Sequence, residues 1–374
     1  MDWAAVRDEF PVTERWAFFD HAAVSPLPRR TARALADYAE DMSANGSAAV
    51  GRWVARTEDT RRLLAQLLNC DPLDLALVKN TSEGIGIVAE GFPWRDGDNV
   101  VLAAEEYPSN QYPWMNLADR GVTVRSVPSR GSRLSIDDLR NAMDTRTRLL
   151  ALSSVEYSSG FRNDLTRLSE LCRERGVVFC VDAIQSVGAL PLDLSKIPID
   201  FVACGGHKWL SGPQGTGFLF VRRDWLERLR VAMVGWSSVT AGHDYSRIDL
   251  TLKPSAARFE NGTLNYGGFA ALGESIRILH EVGAAAVEAR IRELTESVCD
   301  KASRAGWSVF SSRAAEEWSG IVVIEHPTAD RKALAARAKA GGIIVAVRGG
   351  RLRISPHVYN TLDEIDRLAE VLRT

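Results

Sequence analysis

The sequence is poor in lysine and lacks the usual patterns of a disulfide or metal site. Of its 46 basic residues, only seven are lysine. The five cysteines are an odd number, widely spaced and without a C-x-x-C pair, which favours neither a disulfide framework nor a zinc site. The six histidines show no H-E-x-x-H or similar ligand spacing. We therefore expect no metal centre.

Charge and hydropathy exclude further classes of protein. A formal net charge of −2 provides no basic field for nucleic acid. No apolar run approaches the roughly 18 residues of a spanning helix, and the acidic first residues lack the apolar region of a signal peptide. No Walker A motif is present, and no G-x-G-x-x-G opens a helix. We expect a cytoplasmic protein with neither a nucleic-acid nor a membrane partner.

The order of apolar runs predicts an α/β fold with two domains. A chain of 374 residues exceeds the size at which single cores stop growing. Short apolar strands alternate with helical patterns, which predicts a mostly parallel sheet covered on both faces. The expected strands are 76–78, 100–103, 122–124, 149–152, 177–181, 201–204 and 218–221.

The pattern changes after about residue 265, where long helical stretches precede a small strand-and-helix unit. This predicts a large domain over residues 18–264 and a smaller α+β domain formed by residues 1–17 and 265–374. A Gly/Ser/Thr-containing stretch over residues 235–255 is expected to be irregular.

Lys208 is the most informative residue, because it follows an apolar strand and stands between a glycine pair and a Gly/Pro loop. A lysine near apolar surroundings loses its proton more readily and becomes a nucleophile toward carbonyls. Asp182 ends another apolar strand. An amine and an acid on neighbouring strand ends suggest a pyridoxal phosphate (PLP) Schiff base with a carboxylate partner for the pyridine nitrogen.

Each further candidate has an ordinary structural alternative. Thr81 and Ser82 open a helix whose N-terminus suits a phosphate, although they also suit a plain cap. His207 either donates a hydrogen bond to a phosphate or caps its own loop. Tyr107 stacks on a flat ring or belongs to the core. Arg353 holds a carboxylate or forms a surface salt bridge.

Further candidates concern the lining of the substrate pocket. His21, Trp236 and the residues around Tyr245 are candidates for its lining, but they are equally compatible with simple packing.

Six motifs in this order resemble the class V aminotransferases, a family that includes cysteine desulfurases, kynureninase and isopenicillin N epimerase-like proteins. The resemblance spans nearly the whole chain. Its motifs are FFDHAAVSPLP (18–28), NTSEGI (80–85), VDAIQSVG (181–188), GGHKWL (205–210), RFENGT (258–263) and RIS (353–355).

The resemblance implies the fold-type I architecture of PLP-dependent transferases, with PLP as the cofactor. Lys208 would carry the cofactor, Asp182 would pair with the pyridine nitrogen, and Tyr107 would stack on the ring. The remaining implied roles are phenolic-oxygen contact by Gln185, phosphate binding by Thr81, Ser82 and His207, carboxylate binding by Arg353, and a phosphate contact from Thr263 across a homodimer interface.

Three departures from the desulfurases limit what the resemblance implies. Gly205 stands where desulfurases have a serine, so one phosphate hydroxyl is missing. Tyr157 replaces an asparagine near the substrate and ring. The loop between Ile343 and Arg353 contains no cysteine, and desulfurases need a thiolate there to take the sulfur.

The early steps that the resemblance implies are common to several reactions on an amino acid or amine. After Lys208 releases the cofactor to the substrate, its amine is the expected base for the α-proton. Transamination is the first prediction, with a lyase or an epimerase as the alternative. A PLP-binding sensor or partner module without turnover is the non-enzyme alternative.

Overall fold

The computed structural model describes residues 1–244 and 246–373. In this part of the chain the α-helices are α1 Trp3–Asp8, α2 Arg29–Asn45, α3 Val50–Leu68, α4 Thr81–Gly91, α5 Tyr112–Met115, α6 Ile136–Ala142, α7 Leu165–Arg175, α8 Tyr266–Val282, α9 Ala284–Arg304, α10 Arg331–Ala340 and α11 Leu362–Leu372. The strands are β1 Ala17–Phe18, β2 Leu75–Leu77, β3 Asn99–Ala103, β4 Thr123–Val127, β5 Thr147–Ser153, β6 Val178–Asp182, β7 Phe201–Gly205, β8 Gly217–Val221, β9 Ser308–Val309, β10 Val322–Glu325, β11 Ile343–Ile344, β12 Ala346–Arg348 and β13 Arg351–Ile354.

The central sheet has seven strands in the order β2-β8-β7-β6-β5-β3-β4. Strands β3 to β7 pair in parallel, whereas β8 runs antiparallel to both β7 and β2. The inner strands are mainly apolar because helices cover both faces of the sheet, which leaves almost no side chain exposed. The predicted mostly parallel α/β fold is confirmed.

Local capping residues fix where the helices beside the sheet begin and end. The side chain of Asn80 accepts a hydrogen bond from the Glu83 N–H at the start of α4. Asp164 does the same for Arg167 at the start of α7, and Gly176 ends that helix with a φ of 65°. The predicted glycine stop is therefore confirmed.

A second sheet of four antiparallel strands, β12-β13-β10-β9, forms the smaller α+β unit. Its core holds apolar side chains from α9, α10 and α11. The pairing of β1 with β11 brings the start of the chain into this unit, and Phe19 is buried in its core. The N-terminal segment thus contributes both Ala17 and Phe19 to this core, and the predicted domain limit at residue 17 stays a prediction.

Helix α8 lies with the larger unit. It packs against α2 and α3, and its residues Phe269, Leu272 and Ile276 join the core that contains the central sheet. Helix α8 thus packs on helices of the larger unit, and the predicted boundary at residue 264 stays a prediction.

The stretch over residues 235–255 is irregular, as predicted. Its described part contains the short 3₁₀ turn Trp236–Ser238 and one bridge between Val239 and Leu252. Ile248 and Leu250 are 97% and 72% exposed. No helix within the described ranges is long and apolar enough to cross a membrane.

Candidate active site

A cavity of about 410 Å³ opens at the carboxyl ends of the central strands, where ligands of open α/β sheets bind. It collects eight of the predicted site residues: Thr81, Ser82, Tyr107, Asp182, Gln185, His207, Lys208 and Arg353. The other lining residues are Ala22, Ala23, Val24, Asn80, Ser109, Tyr157, Ile184 and Arg348. Residues distant in sequence therefore share one space.

Lys208 stands three residues beyond the end of β7, after a turn in which the Gly206 N–H donates to the carbonyl of Thr216. The side chain is 8% exposed. Burial lowers the pKa of Lys208 to about 8, while Asp182 opposes the shift and Arg353 reinforces it. A substantial fraction of this amine is therefore neutral near pH 8, as a nucleophile toward carbonyls requires.

Asp182 ends β6, and its carboxylate is almost fully buried. The Ile184 N–H donates to its Oδ1 at 3.0 Å. Burial raises the pKa of Asp182 to about 6, and both the Ile184 hydrogen bond and the Lys208 charge oppose that shift. A buried carboxylate of this kind suits a cationic ring nitrogen, which would supply a close positive partner.

Hydroxyl groups cluster at the N-terminus of α4. Thr81 Oγ1 accepts from the Gly205 N–H at 3.0 Å, and Ser82 Oγ donates to Ser109 Oγ at 2.7 Å. The dipole and free N–H groups of a helix N-terminus favour a phosphate. Burial lowers the pKa of His207, with the Lys208 charge adding to the shift.

Two aromatic rings and one amide complete the ring-facing part of the cavity. The Tyr107 ring centroid lies 5.5 Å from Lys208 Nζ and packs edge-on against Tyr157 with centroids 5.2 Å apart. Gln185 donates to the carbonyl of Ala22 at 3.1 Å and accepts from the Trp209 indole N–H at 3.0 Å. Both of its amide ends are therefore held in place.

Arg353 lies on β13 and is 2% exposed. Its Nη1 donates to the carbonyl of Tyr157 and its Nη2 to Asp20 Oδ1, each at 3.2 Å. Burial raises the pKa of Asp20, which the Arg353 charge opposes. The guanidinium faces the cavity with Nε still without a partner in the described part of the chain, so it retains donor capacity for a carboxylate.

Two buried acids beneath the site were missed by the sequence analysis. The Ser153 N–H and hydroxyl donate to Glu106 at 2.5 and 2.6 Å, and the Asn163 amide donates to Glu156 at 2.9 Å. Burial raises the pKa of Glu106 to about 7 and that of Glu156 well above its ordinary value. The pair thus holds a proton near neutral pH.

His21 is not part of the cavity lining. Its Nε2 lies 2.8 Å from the hydroxyl of Tyr359, and its ring stacks on His357 with centroids 4.3 Å apart. Complete burial lowers the pKa of His21 well below its ordinary value. His21 therefore packs outside the lining of the cavity in the described residues, and its predicted contact with the substrate stays a prediction.

Two other candidates also lie elsewhere. Thr263 is exposed and does not line the cavity of the single chain, so its contact across a dimer stays a prediction. Trp236 packs edge-on against His243 and does not line the cavity either. Tyr245 lies outside the described residues.

The five cysteines are all free, and none lines the cavity as described. Cys204, on β7, is buried and has a pKa raised well above its ordinary value by that burial. The cavity therefore has no thiolate of its own in the described residues. No group of acids, histidines and cysteines in this part of the chain could hold a metal ion.

Comparisons with known proteins agree with this geometry. The family profile "Aminotransferase class-V" matches residues 17–368. A probable cysteine desulfurase of Methanothermobacter thermautotrophicus is 31% identical over 98% of this chain and 96% of its own. Isopenicillin N epimerase of Streptomyces clavuligerus is also 31% identical, over 99% of this chain and 98% of its own.

Solved structures show the same fold. A lysine-to-alanine mutant of C-DES, with glycine covalently linked to its PLP cofactor, matches with a TM-score of 0.93 and 25% identity over 98% of both chains. C-DES in complex with cysteine persulfide, described as a cystine C–S lyase, matches with a TM-score of 0.91 and 26% identity over 97% of this chain and 99% of that one. The fold is that of PLP-dependent enzymes, and the cofactor indicated is pyridoxal 5′-phosphate. The chain belongs to the class V aminotransferase family.

Proposed function

We propose that this protein is a PLP-dependent lyase that acts on an amino acid, with Lys208 as both the attachment point of the cofactor and the base. The observation that carries the proposal is the enclosure of Lys208, Asp182 and Arg353 in one cavity. PLP, when bound, supplies an electron sink for the charge that develops at the substrate α-carbon.

The residues of the chain divide the remaining work. Arg353 binds the substrate carboxylate through its free donor capacity. Lys208 accepts the α-proton on Nζ, for which a pKa of about 8 suits an amine working near neutral pH. Asp182 keeps a proton on the ring nitrogen. Thr81 and Ser82 hold the phosphate.

Elimination is better supported than the transamination predicted first. The named relatives are desulfurases, a cystine C–S lyase and an epimerase. A desulfurase that passes sulfur to its own thiolate is disfavoured here, because no cysteine lies between Ile343 and Arg353. Cleavage of a β-substituent needs a base for the α-proton, which Lys208 provides, and the electron sink that PLP would supply; the bonding electrons leave with the β-substituent.

Epimerisation is the second candidate. Proton return to the opposite face of the α-carbon requires a second acid, and the hydroxyl of Tyr157 lines the same cavity. The similarity to isopenicillin N epimerase also favours it. A non-catalytic PLP sensor is less well supported, because Lys208, Asp182 and Arg353 are all present.

We also propose a homodimer in which Thr263 reaches the phosphate of the partner's site. Thr263 is exposed, and Ile248 and Leu250 are exposed apolar residues of the 235–255 stretch. Exposed apolar surface is a common feature of association surfaces. The molecular mass in solution, measured by light scattering, tests this arrangement.

Lys208→Ala tests the central proposal. We expect the wild-type protein to become covalently labelled by PLP and borohydride, and the variant to remain unlabelled by mass spectrometry. Lys196→Ala is the matched control, because Lys196 is highly exposed and outside the cavity. Labelling of the Lys208→Ala chain at the same stoichiometry would overturn the proposal.

The reaction type is tested with a panel of L-amino acids and cystine. A lyase releases keto acid together with sulfide, persulfide or another β-substituent. An epimerase forms the opposite enantiomer without keto acid. An aminotransferase forms keto acid only with stoichiometric transfer of the amino group to an added acceptor.

A further inference from the structure

The hairpin formed by β12 and β13 carries three arginines on one face. Arg348 lies opposite Arg351, and Arg353 lies opposite Ala346. Directly opposite residues of an antiparallel pair share a face, and so do alternate residues along each strand. The three arginine side chains therefore project from the same face of the hairpin. Two of them, Arg348 and Arg353, line the cavity that contains Lys208.

Two of these arginines already have carboxylate partners. Arg351 Nε lies 2.7 Å from Glu325 Oε2, and its guanidinium stacks on Phe310 with Cζ 3.7 Å from the ring centroid. Arg353 is held by Asp20. Both cations are thus compensated before any substrate arrives.

Arg348 differs from its neighbours. In the described residues, its recorded hydrogen bond runs from Nη1 to the adjacent Val347 carbonyl at 2.9 Å, and no carboxylate lies within 4.0 Å of the guanidinium. Its side chain nevertheless lines the cavity that contains Lys208 and Arg353. The charge of Arg348 opposes the rise in the pKa of Asp20, but Asp20 is the hydrogen-bond partner of Arg353. The two cavity arginines therefore share one carboxylate, and Arg348 has no ion-pair partner of its own in the described residues.

The hairpin register sets the distance between the two cavity arginines. Arg353 lies two residues beyond Arg351, the partner of Arg348, so Arg348 and Arg353 are diagonal neighbours on one face. Diagonal neighbours have Cα atoms about 7–8 Å apart, within reach of long side chains. Two guanidiniums at this spacing match a ligand whose two anionic groups are separated by a short carbon chain.

We propose that Arg348 binds a second anionic group of the substrate, which makes the substrate an amino acid with a carboxylate, or a similar anion, on its side chain. The inference rests on the proposed function, in which Arg353 binds the α-carboxylate. Arg348 then selects on the distal group, because an uncharged or cationic side chain would leave its guanidinium without an ion-pair partner of its own.

The test uses the PLP-loaded protein and two pairs of unreactive ligands, the dicarboxylates succinate and glutarate and the monocarboxylates propionate and butyrate. Isothermal titration calorimetry measures the Kd of each. We expect one dicarboxylate to bind about tenfold more tightly than its monocarboxylate counterpart, the typical value of one charged hydrogen-bonded contact. Arg348→Gln is expected to remove this difference and leave monocarboxylate binding unchanged.

Arg351→Gln is the matched control, because it lies on the same hairpin face but outside the cavity lining and is expected to keep the dicarboxylate preference. Equal affinity for both ligand classes in the wild type, or an equal loss of both in Arg348→Gln, would overturn the inference. A loss of PLP affinity without loss of pyridoxal affinity in Arg348→Gln would assign the residue to the cofactor phosphate instead.

The proposed function fails separately, through absence of the borohydride-fixed cofactor on Lys208. In that outcome the calorimetric comparison of the two ligand classes, repeated without PLP, still reports on Arg348.

Discussion

Replacement of Asp182 by asparagine is expected to stabilise the cofactor-free protein at pH 7. Burial raises the pKa of Asp182 from 3.8 to about 6. Since one pKa unit corresponds to about 1.4 kcal/mol, keeping this carboxyl ionised lowers the free energy of unfolding by about 3 kcal/mol. Asparagine has nearly the same shape, carries no charge and still accepts the hydrogen bond from Ile184.

The effect has a defined pH dependence. The pKa of Asp182 is raised in the folded state. The ionised carboxylate therefore causes no destabilisation below the unfolded pKa of 3.8, and its full destabilisation is present above about pH 6. The gain in stability from Asp182→Asn should therefore be close to zero at pH 4 and grow to about 3 kcal/mol at pH 7.

Urea unfolding of the cofactor-free proteins, followed by tryptophan fluorescence between pH 4 and 7, measures this gain. Asp119→Asn, at an exposed position, is the control and should change stability by less than about 0.5 kcal/mol. Saturating PLP should reverse the order, because binding stabilises the wild type more than the variant. A pH-independent gain, or a loss at pH 7 without cofactor, would refute the reasoning.

Two further predictions concern the proposed phosphate site and the turn between β5 and α7. Ser109→Ala is expected to weaken PLP binding about tenfold and leave pyridoxal binding unchanged, because the Ser82–Ser109 pair lies at the helix end proposed to bind the phosphate. Absorbance titration measures both affinities, and an equal loss for the two ligands would contradict the prediction. Gly160→Ala should cost about 2–4 kcal/mol in urea unfolding, because φ is +73° and an added Cβ would lie 2.5 Å from the Ile321 carbonyl. Gly86→Ala, with open space around its Cβ, should be neutral or stabilising instead.

The central sheet was predictable because its strands are buried on both faces. A strand such as β7 has no exposed side, so its sequence becomes a short apolar run that needs no knowledge of its neighbours. Lys208 and Asp182 then follow directly, since both stand at or just beyond the ends of such runs. The carboxyl ends of parallel strands meet at one edge of a sheet.

Side-chain direction was not predictable in the same way. His21 belongs to a motif that does reach the cavity through Ala22 and Ala23, but its own ring turns toward Tyr359. The motif gives the position of the backbone and not the face that each residue occupies. Ser109 was missed because its place depends on a partner, Ser82, on another element.

The hairpin around Arg348 carried a signal that could have been used. Gly349 and Gly350 both have positive φ, and a Gly-Gly pair between two strands is typical of a two-residue turn. Such a turn fixes the register of β12 and β13, which places Arg348 on the same face as Arg353. The boundary at residue 264 stays a prediction for a physical reason: α8 is buried on most sides, so no polar face shows which unit it joins.

The bond between Asp20 and Arg353 joins positions 333 residues apart, which has a consequence for biosynthesis. On a ribosome that adds about 5–20 residues per second, Lys208 is synthesised roughly 7–30 s before Arg353. During that interval Lys208 of the nascent chain lacks the β12–β13 hairpin, whose residues Arg348 and Arg353 line its cavity. Binding of PLP during translation should therefore wait until strand β13 has left the ribosome.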